Sequence, residues 1–307
     1  MLEILREFFG FGGYQREPEG FMSWQHLTFV TSLMIVMTLL AIYFGKRNKN
    51  KDDKIKNRVL IWAALLIVGF EIFKIIMLSI INEDPMHFLY DLPLFLCSIQ
   101  LITIPLAAFS KGRVKEAALD FVFIFGLLGA ALGTYGAGNN YGSYPVLSFD
   151  NVISGITHSI SGFASLYIAI SGLTSMKIKN LPITFIILFF FGISAYIVNI
   201  TIDYNYMFLV RGDGTPYDIL YNLVNGHKVI YPIMVMVLFI IYIILFNIIY
   251  HLITHKKKEN IHKLQMEYIE RFSLYFPHKN RSEEEIIYIL KKSLEENIPY
   301  QKHLGFT

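Results

Sequence analysis

Cys97 is the only cysteine in the chain, and His158 follows it in the stretch Gly155-Ile-Thr157-His158-Ser159-Ile-Ser161-Gly162. A thiol and an imidazole are the groups of nucleophilic acyl transfer: the thiolate attacks, and the histidine takes the proton that the thiol must first lose. A single cysteine excludes an internal disulfide and a thiolate cluster within one chain. No zinc-spaced ligand set, phosphate-binding glycine loop or dinucleotide fingerprint is present, so neither metal nor cofactor is expected. The bland alternative is that a lone cysteine packs in an apolar helix and a lone histidine hydrogen-bonds between two helices. The pair means chemistry only if the elements carrying it bring both groups to one place.

Those elements are membrane spans. Seven apolar stretches, 25–44, 59–81, 91–109, 117–137, 151–173, 183–203 and 229–253, are each about long enough to cross a bilayer as a helix. A hydrophobic share of 54%, a charged share of 17% and a mean hydropathy of +0.47 fit a membrane chain. Basic residues alternate between loops. Lys46, Arg47, Lys49, Lys51, Lys54, Lys56 and Arg58 crowd the first loop, whereas the second carries Glu83 and Asp84. Lys111, Arg113 and Lys115, then Lys177 and Lys179, then Lys256 to Lys258 continue the alternation. The positive-inside rule then places the N-terminus outside and the C-terminus in the cytoplasm. The predicted fold is therefore all-α: a polytopic seven-helix membrane protein with an extracytoplasmic segment 1–24, a transmembrane domain 25–253 and a cytoplasmic helical tail 254–307. Residues 1–10 predict a short interfacial helix rather than a cleavable signal, and the tail predicts two helices broken near Pro277, the second capped by Ser282 with Glu285. The basic residues are accounted for by topology and serve no nucleic acid.

Orientation assigns each intramembrane polar residue a depth, since a helix rises about 1.5 Å per residue. His26, Glu71, Lys74, Asp91, Cys97, Gln100, His158, Asn199 and Asp203 all fall in the outer half. Cys97 and His158 both lie roughly 10 Å below the outer end of their spans. Ionisable groups in a bilayer face a bundle interior or a wet cavity, so these residues predict a polar cavity open to the outer face. Glu71 and Lys74, three residues apart on one helical face, either belong to that site or neutralise each other as a structural pair. His26 is either a site residue or an interfacial one. Asp120, near the opposite face, reads as a helix cap or bridge, and Gly126, Gly129 and Gly133 read as a packing stripe without chemistry.

Leu92-Pro93-Leu94-Phe95-Leu96-Cys97-Ser98, the Thr157-His158-Ser159 helix and Asn205-Tyr206-Met207-Phe208-Leu209 after the sixth span resemble the YwaF family of bacterial membrane proteins, related to animal transmembrane protein 164. The resemblance covers roughly residues 20 to 255. It implies acyl chemistry at Cys97 with His158 as partner, because the animal relative is described as a cysteine-centred acyltransferase acting on lysophospholipids. Many relatives carry histidine two positions before the cysteine, where this chain has Phe95. The abundant Ile, Lys and Asn also fit a bacterial source of low GC content.

Two classes of function follow. The first is a cell-membrane lipid acyltransferase or acyl hydrolase whose partner is a phospholipid or lysophospholipid. Asn199, Asn205 and Tyr206 are its candidate oxyanion donors. The second is a small-solute or proton-coupled transporter lined by Glu71, Lys74, Asp91, His158 and Asp203, and a non-catalytic assembly factor is a third. A transporter needs polar residues continuing through the inner half, and the sequence largely lacks them.

Overall fold

The computed structural model describes residues 2–174, 176–276, 281 and 283–300. Every regular element among them is helical. A short amphipathic helix α1 (Leu2–Phe9) is followed by α2 (Trp24–Asn48), α3 (Asp53–Ile81), α4 (Gln100–Phe109), α5 (Gly112–Tyr135), α6 (Gly138–Ser143), α7 (Phe149–Ser171), α8 (Leu181–Ile202), α9 (Asp218–Leu223), α10 (Ile230–Phe272) and α11 (Glu283–Glu296). Six of these, α2, α3, α5, α7, α8 and α10, are long and apolar enough to cross a membrane. Their outward faces carry large apolar side chains such as Trp62, Leu132, Ile186 and Ile193, all exposed. In water such faces would have to be buried; in lipid they need not be.

The third predicted span departs from expectation. Residues 91–109 form one continuous apolar run in the sequence, but only α4, its second half, is an α-helix. A 3-10 turn at His87–Tyr90 leads into successive tight turns over 91–99. Pro93 supplies no N–H there and disfavours helical geometry in the residue before it. The segment still runs the length of α3: Asp91 pairs with Lys74, and the Ala108 carbonyl accepts from Asn57 Nδ2 at 2.8 Å near the start of α3.

In the unit formed by residues 1–243, α7 packs against α5, α2 and α3, and small residues permit the close approach. Ser161 and Ser165 hydroxyls donate to the carbonyls of Gly126 and Phe123 on α5 at 3.3 and 2.9 Å. A Cβ at Gly126 would meet the Ser161 carbonyl at 2.8 Å, so glycine sets this helix spacing. The ends of α7 follow ordinary capping chemistry: Ser148 Oγ accepts from the Asn151 N–H, and Gly172 closes the helix at φ 72°. A dry core of Leu60, Ala64, Ile67, Ile104, Ala107, Val122, Ala164 and Ile168 joins α3, α4, α5 and α7. Asp120 bridges elements, accepting from Thr174 Oγ1 and from Asn180 Nδ2.

Residues 244–307 cluster as a second unit. Within it Tyr268, Phe276, Ile286, Leu290 and Leu294 form a small apolar core between the end of α10 and α11. The predicted break at Pro277 and cap at Ser282 lie outside the described residues.

Candidate functional site

Cys97 sits in the turns that lead into α4, half-buried. Ser98 holds this bend: its Oγ accepts from the Phe95 N–H at 2.9 Å and donates to the Phe95 carbonyl at 3.1 Å. Behind the cysteine is α5. An added Cβ at Gly129 would lie 3.2 Å from the Cα and Cβ of Cys97, and one at Gly133 would run into the ring of His158. One helical turn of α5 is therefore the floor on which both side chains rest. The glycine stripe read as a packing face is packed at all three positions, against Ser161, Cys97 and His158.

His158 projects from α7 toward Cys97, and the two side chains lie within interaction reach. His158 Nδ1 is 2.7 Å from the Ser154 carbonyl, which can only accept, so Nδ1 carries the proton. Nε2 is then a bare acceptor, and it is buried with no formed hydrogen bond.

Above the pair lies a buried ion cluster. Lys74 Nζ is 2.9 Å from Glu71 Oε1 and 3.0 Å from Asp91 Oδ1, bringing together three predicted site residues. His87 Nε2 is 3.7 Å from the other Asp91 oxygen, too far for a hydrogen bond. Asp150, in the first turn of α7, interacts electrostatically with Lys74, Asp91, His87 and His158. Sequence analysis missed Asp150 and Ser154, although residues 150, 154 and 158 are spaced four apart on one face of α7.

The remaining predicted residues serve other ends. His26 is fully buried, but its Nδ1 accepts from the Met22 N–H at 3.2 Å and its Nε2 donates to the Thr134 carbonyl at 3.1 Å, tying the start of α2 to the end of α5. Asp203, expected in the polar site, is instead the αL cap of α8 at φ 51°, with its carboxylate almost fully in solvent and 3.6 Å from Arg211. The donors expected to face an oxyanion are engaged in shaping the loop after α8. Asn199 brackets Tyr206, accepting its N–H at 2.6 Å and donating to its carbonyl at 2.9 Å. Asn205 donates to the Arg211 carbonyl and to Asp213, and accepts from the N–H groups of Val210 and Arg211. The Tyr206 hydroxyl donates to the Leu89 carbonyl at 2.5 Å and accepts from the Leu92 N–H at 3.1 Å, pinning the chain just ahead of Cys97.

These bonds hold Met207 and Phe208 at φ 55° and 56°, a conformation that L residues adopt only when their surroundings enforce it. Phe208 thereby meets Phe95 at 6.1 Å and stacks on Tyr217 at 5.1 Å, building an aromatic wall beside the cysteine. Burial, with a smaller contribution from the nearby Cys97 sulfur, raises the Tyr217 phenol above its ordinary value, so it stays protonated at neutral pH. Nothing in the sequence marked Tyr217, because its closeness depends on the fold of a loop.

Fold and site together define a multi-pass helical membrane protein with a buried ion cluster of Lys74, Glu71 and Asp91. The TMEM164 family model matches residues 21–250, most of the chain, and the chain belongs to that family. No curated protein and no solved structure matches it.

Proposed function

We propose that this chain is a YwaF-type phospholipid acyltransferase or acyl hydrolase of the bacterial cell membrane, acting on the outer leaflet with Cys97 as nucleophile and His158 as base. The tautomer of His158 carries this reading. With Nδ1 donating to the Ser154 carbonyl, the lone pair of Nε2 is left free to act as the base. Nε2 takes the proton from Cys97, and the sulfur attacks the ester carbonyl carbon. The tetrahedral intermediate collapses with loss of the glycerol alkoxide, which takes the proton back from His158 and leaves as a lysolipid. A second alcohol or a water then gives its proton to Nε2 and attacks the thioester, and the released thiolate recovers that proton. A lysolipid acceptor makes the reaction a transfer; water makes it a hydrolysis.

The orientation that this requires has the N-terminus outside. Residues 91–109 serve as a seventh crossing, turned in its outer half and helical in its inner half, alongside the full length of α3. The site then sits at the depth of glycerol esters. The apolar core of α3, α4, α5 and α7 lies on the cytoplasmic side of the site in every one of those helices, which supports a one-sided cavity over a transport path.

Intact mass spectrometry after incubation with phospholipid tests the proposal. Wild type is expected to gain an acyl adduct released by hydroxylamine, Cys97→Ser to lose it and His158→Ala to form it slowly. Absence of an adduct and of any acyl turnover in wild type would sink the enzyme reading.

A further inference from the structure

We propose that the side-chain amide of Gln100 is the donor that receives the negative charge developing on the ester carbonyl oxygen. This rests on the cysteine acyl-transfer reading and adds to it the group that stabilises the tetrahedral intermediate. Gln100 is completely buried at the start of α4. Its Oε1 accepts at 3.0 Å from Thr103 Oγ1, a hydroxyl shared with the Ile99 carbonyl at 3.2 Å, which orients the amide, and its Nε2 has no hydrogen-bond partner among the described residues. A buried amide donor left unpaired is costly, and such groups persist where something else is to be bound.

Its position identifies that something. The N–H groups of Gln100, Leu101 and Ile102 bond to the carbonyls of Cys97, Ser98 and Ile99, each three residues back. That is 3-10 geometry, in which side chains at i and i+3 eclipse, so Gln100 projects from the same face as Cys97. The amides of Asn199 and Asn205 are occupied by the loop they shape. Gln100 alone combines an unpaired amide, complete burial and the register of the nucleophile. An attacking sulfur turns the carbonyl oxygen into an oxyanion, and a preorganised donor in a dry site acts on that charge and little on the neutral ester.

The full chain in vesicles of one defined phospholipid provides the test, followed by the rate of adduct formation at saturating lipid and by thermal melting. Gln100→Met keeps the shape and removes the unpaired donor. It is expected to melt at or above wild type while forming the thioester about 100- to 1,000-fold more slowly, with the lipid concentration at half-maximal rate little changed. Thr103→Val leaves the amide present and unanchored, and should slow the same step about tenfold without altering the half-maximal concentration. Adduct formation within threefold of wild type in either variant overturns the assignment, including the case where Gln100→Met does not fold and Thr103→Val alone is measured. No adduct in wild type removes the acyl-transfer reading and this inference with it. An adduct at wild-type rate in Gln100→Met removes the inference alone.

Discussion

At the scale of single residues, the site depends on side chains that are absent as much as on those present. Gly133 leaves room for the His158 ring, and Gly129 lets Cys97 rest against α5. Gly133→Ala should push the buried His158 ring off its bond to the Ser154 carbonyl, a loss of about 1–3 kcal/mol that the gain in helix propensity of roughly 0.5–1 kcal/mol offsets only in part. The displaced ring no longer faces the thiol. Misplacement by about 1 Å is enough for a loss on the order of 100-fold, so the variant should melt somewhat below wild type and acylate at least that much more slowly. Adduct formation at the wild-type rate would show that the floor is only packing. The stripe of three glycines was legible as a packing face, but its partners were not, because sequence does not reveal which glycine faces a serine and which an imidazole.

At the scale of elements, the third predicted span carries the most information. Its run of Leu, Phe and Ile reads as an unbroken helix because hydropathy registers length and apolarity and is blind to turns. Pro93 signalled a distortion, and the structure extends it over 91–99. Non-helical backbone at membrane depth is tolerated only where protein satisfies it, and Tyr206 does so for Leu89 and Leu92. Tyr206→Phe leaves both backbone groups unpaired, at a cost of about 1–3 kcal/mol. The expected result is a lower melting temperature and faster amide exchange confined to residues 89–98, with slower acylation because Cys97 is held less firmly. Unchanged exchange there would mean that the turns are held by other contacts. The depth read for His158 rests on a regular helix, α7, whereas Cys97 lies in turns ahead of α4, where a rise of 1.5 Å per residue does not apply.

At the scale of the whole molecule, topology decides which leaflet would supply the phospholipid that the proposed reaction requires. Six helices long enough to span would return the chain to the side on which it began, whereas a broken seventh crossing puts the ends on opposite sides. The loop charges choose between these. Residues 46–58, the end of α2, the turn after it and the start of α3, hold most of the basic residues that precede the site, and the loop after α3 holds Glu83 and Asp84. Two helices joined by a loop enter and leave the same side, so each basic loop marks the cytoplasm only if residues 91–109 cross completely. Single cysteines introduced at Asn50, Asn82 and Ser110 in a Cys97→Ser background make this measurable in intact cells with a membrane-impermeant maleimide. The expected result is labelling at position 82 alone, with positions 50 and 110 reacting after permeabilisation. Labelling at 82 and 110 together would make 91–109 re-entrant, place both ends of the chain outside, and leave the later basic loops in conflict with the charge rule. Labelling at 50 and protection at 82 would invert the protein and assign Cys97 to the inner leaflet, where the same chemistry would meet a different pool of phospholipid.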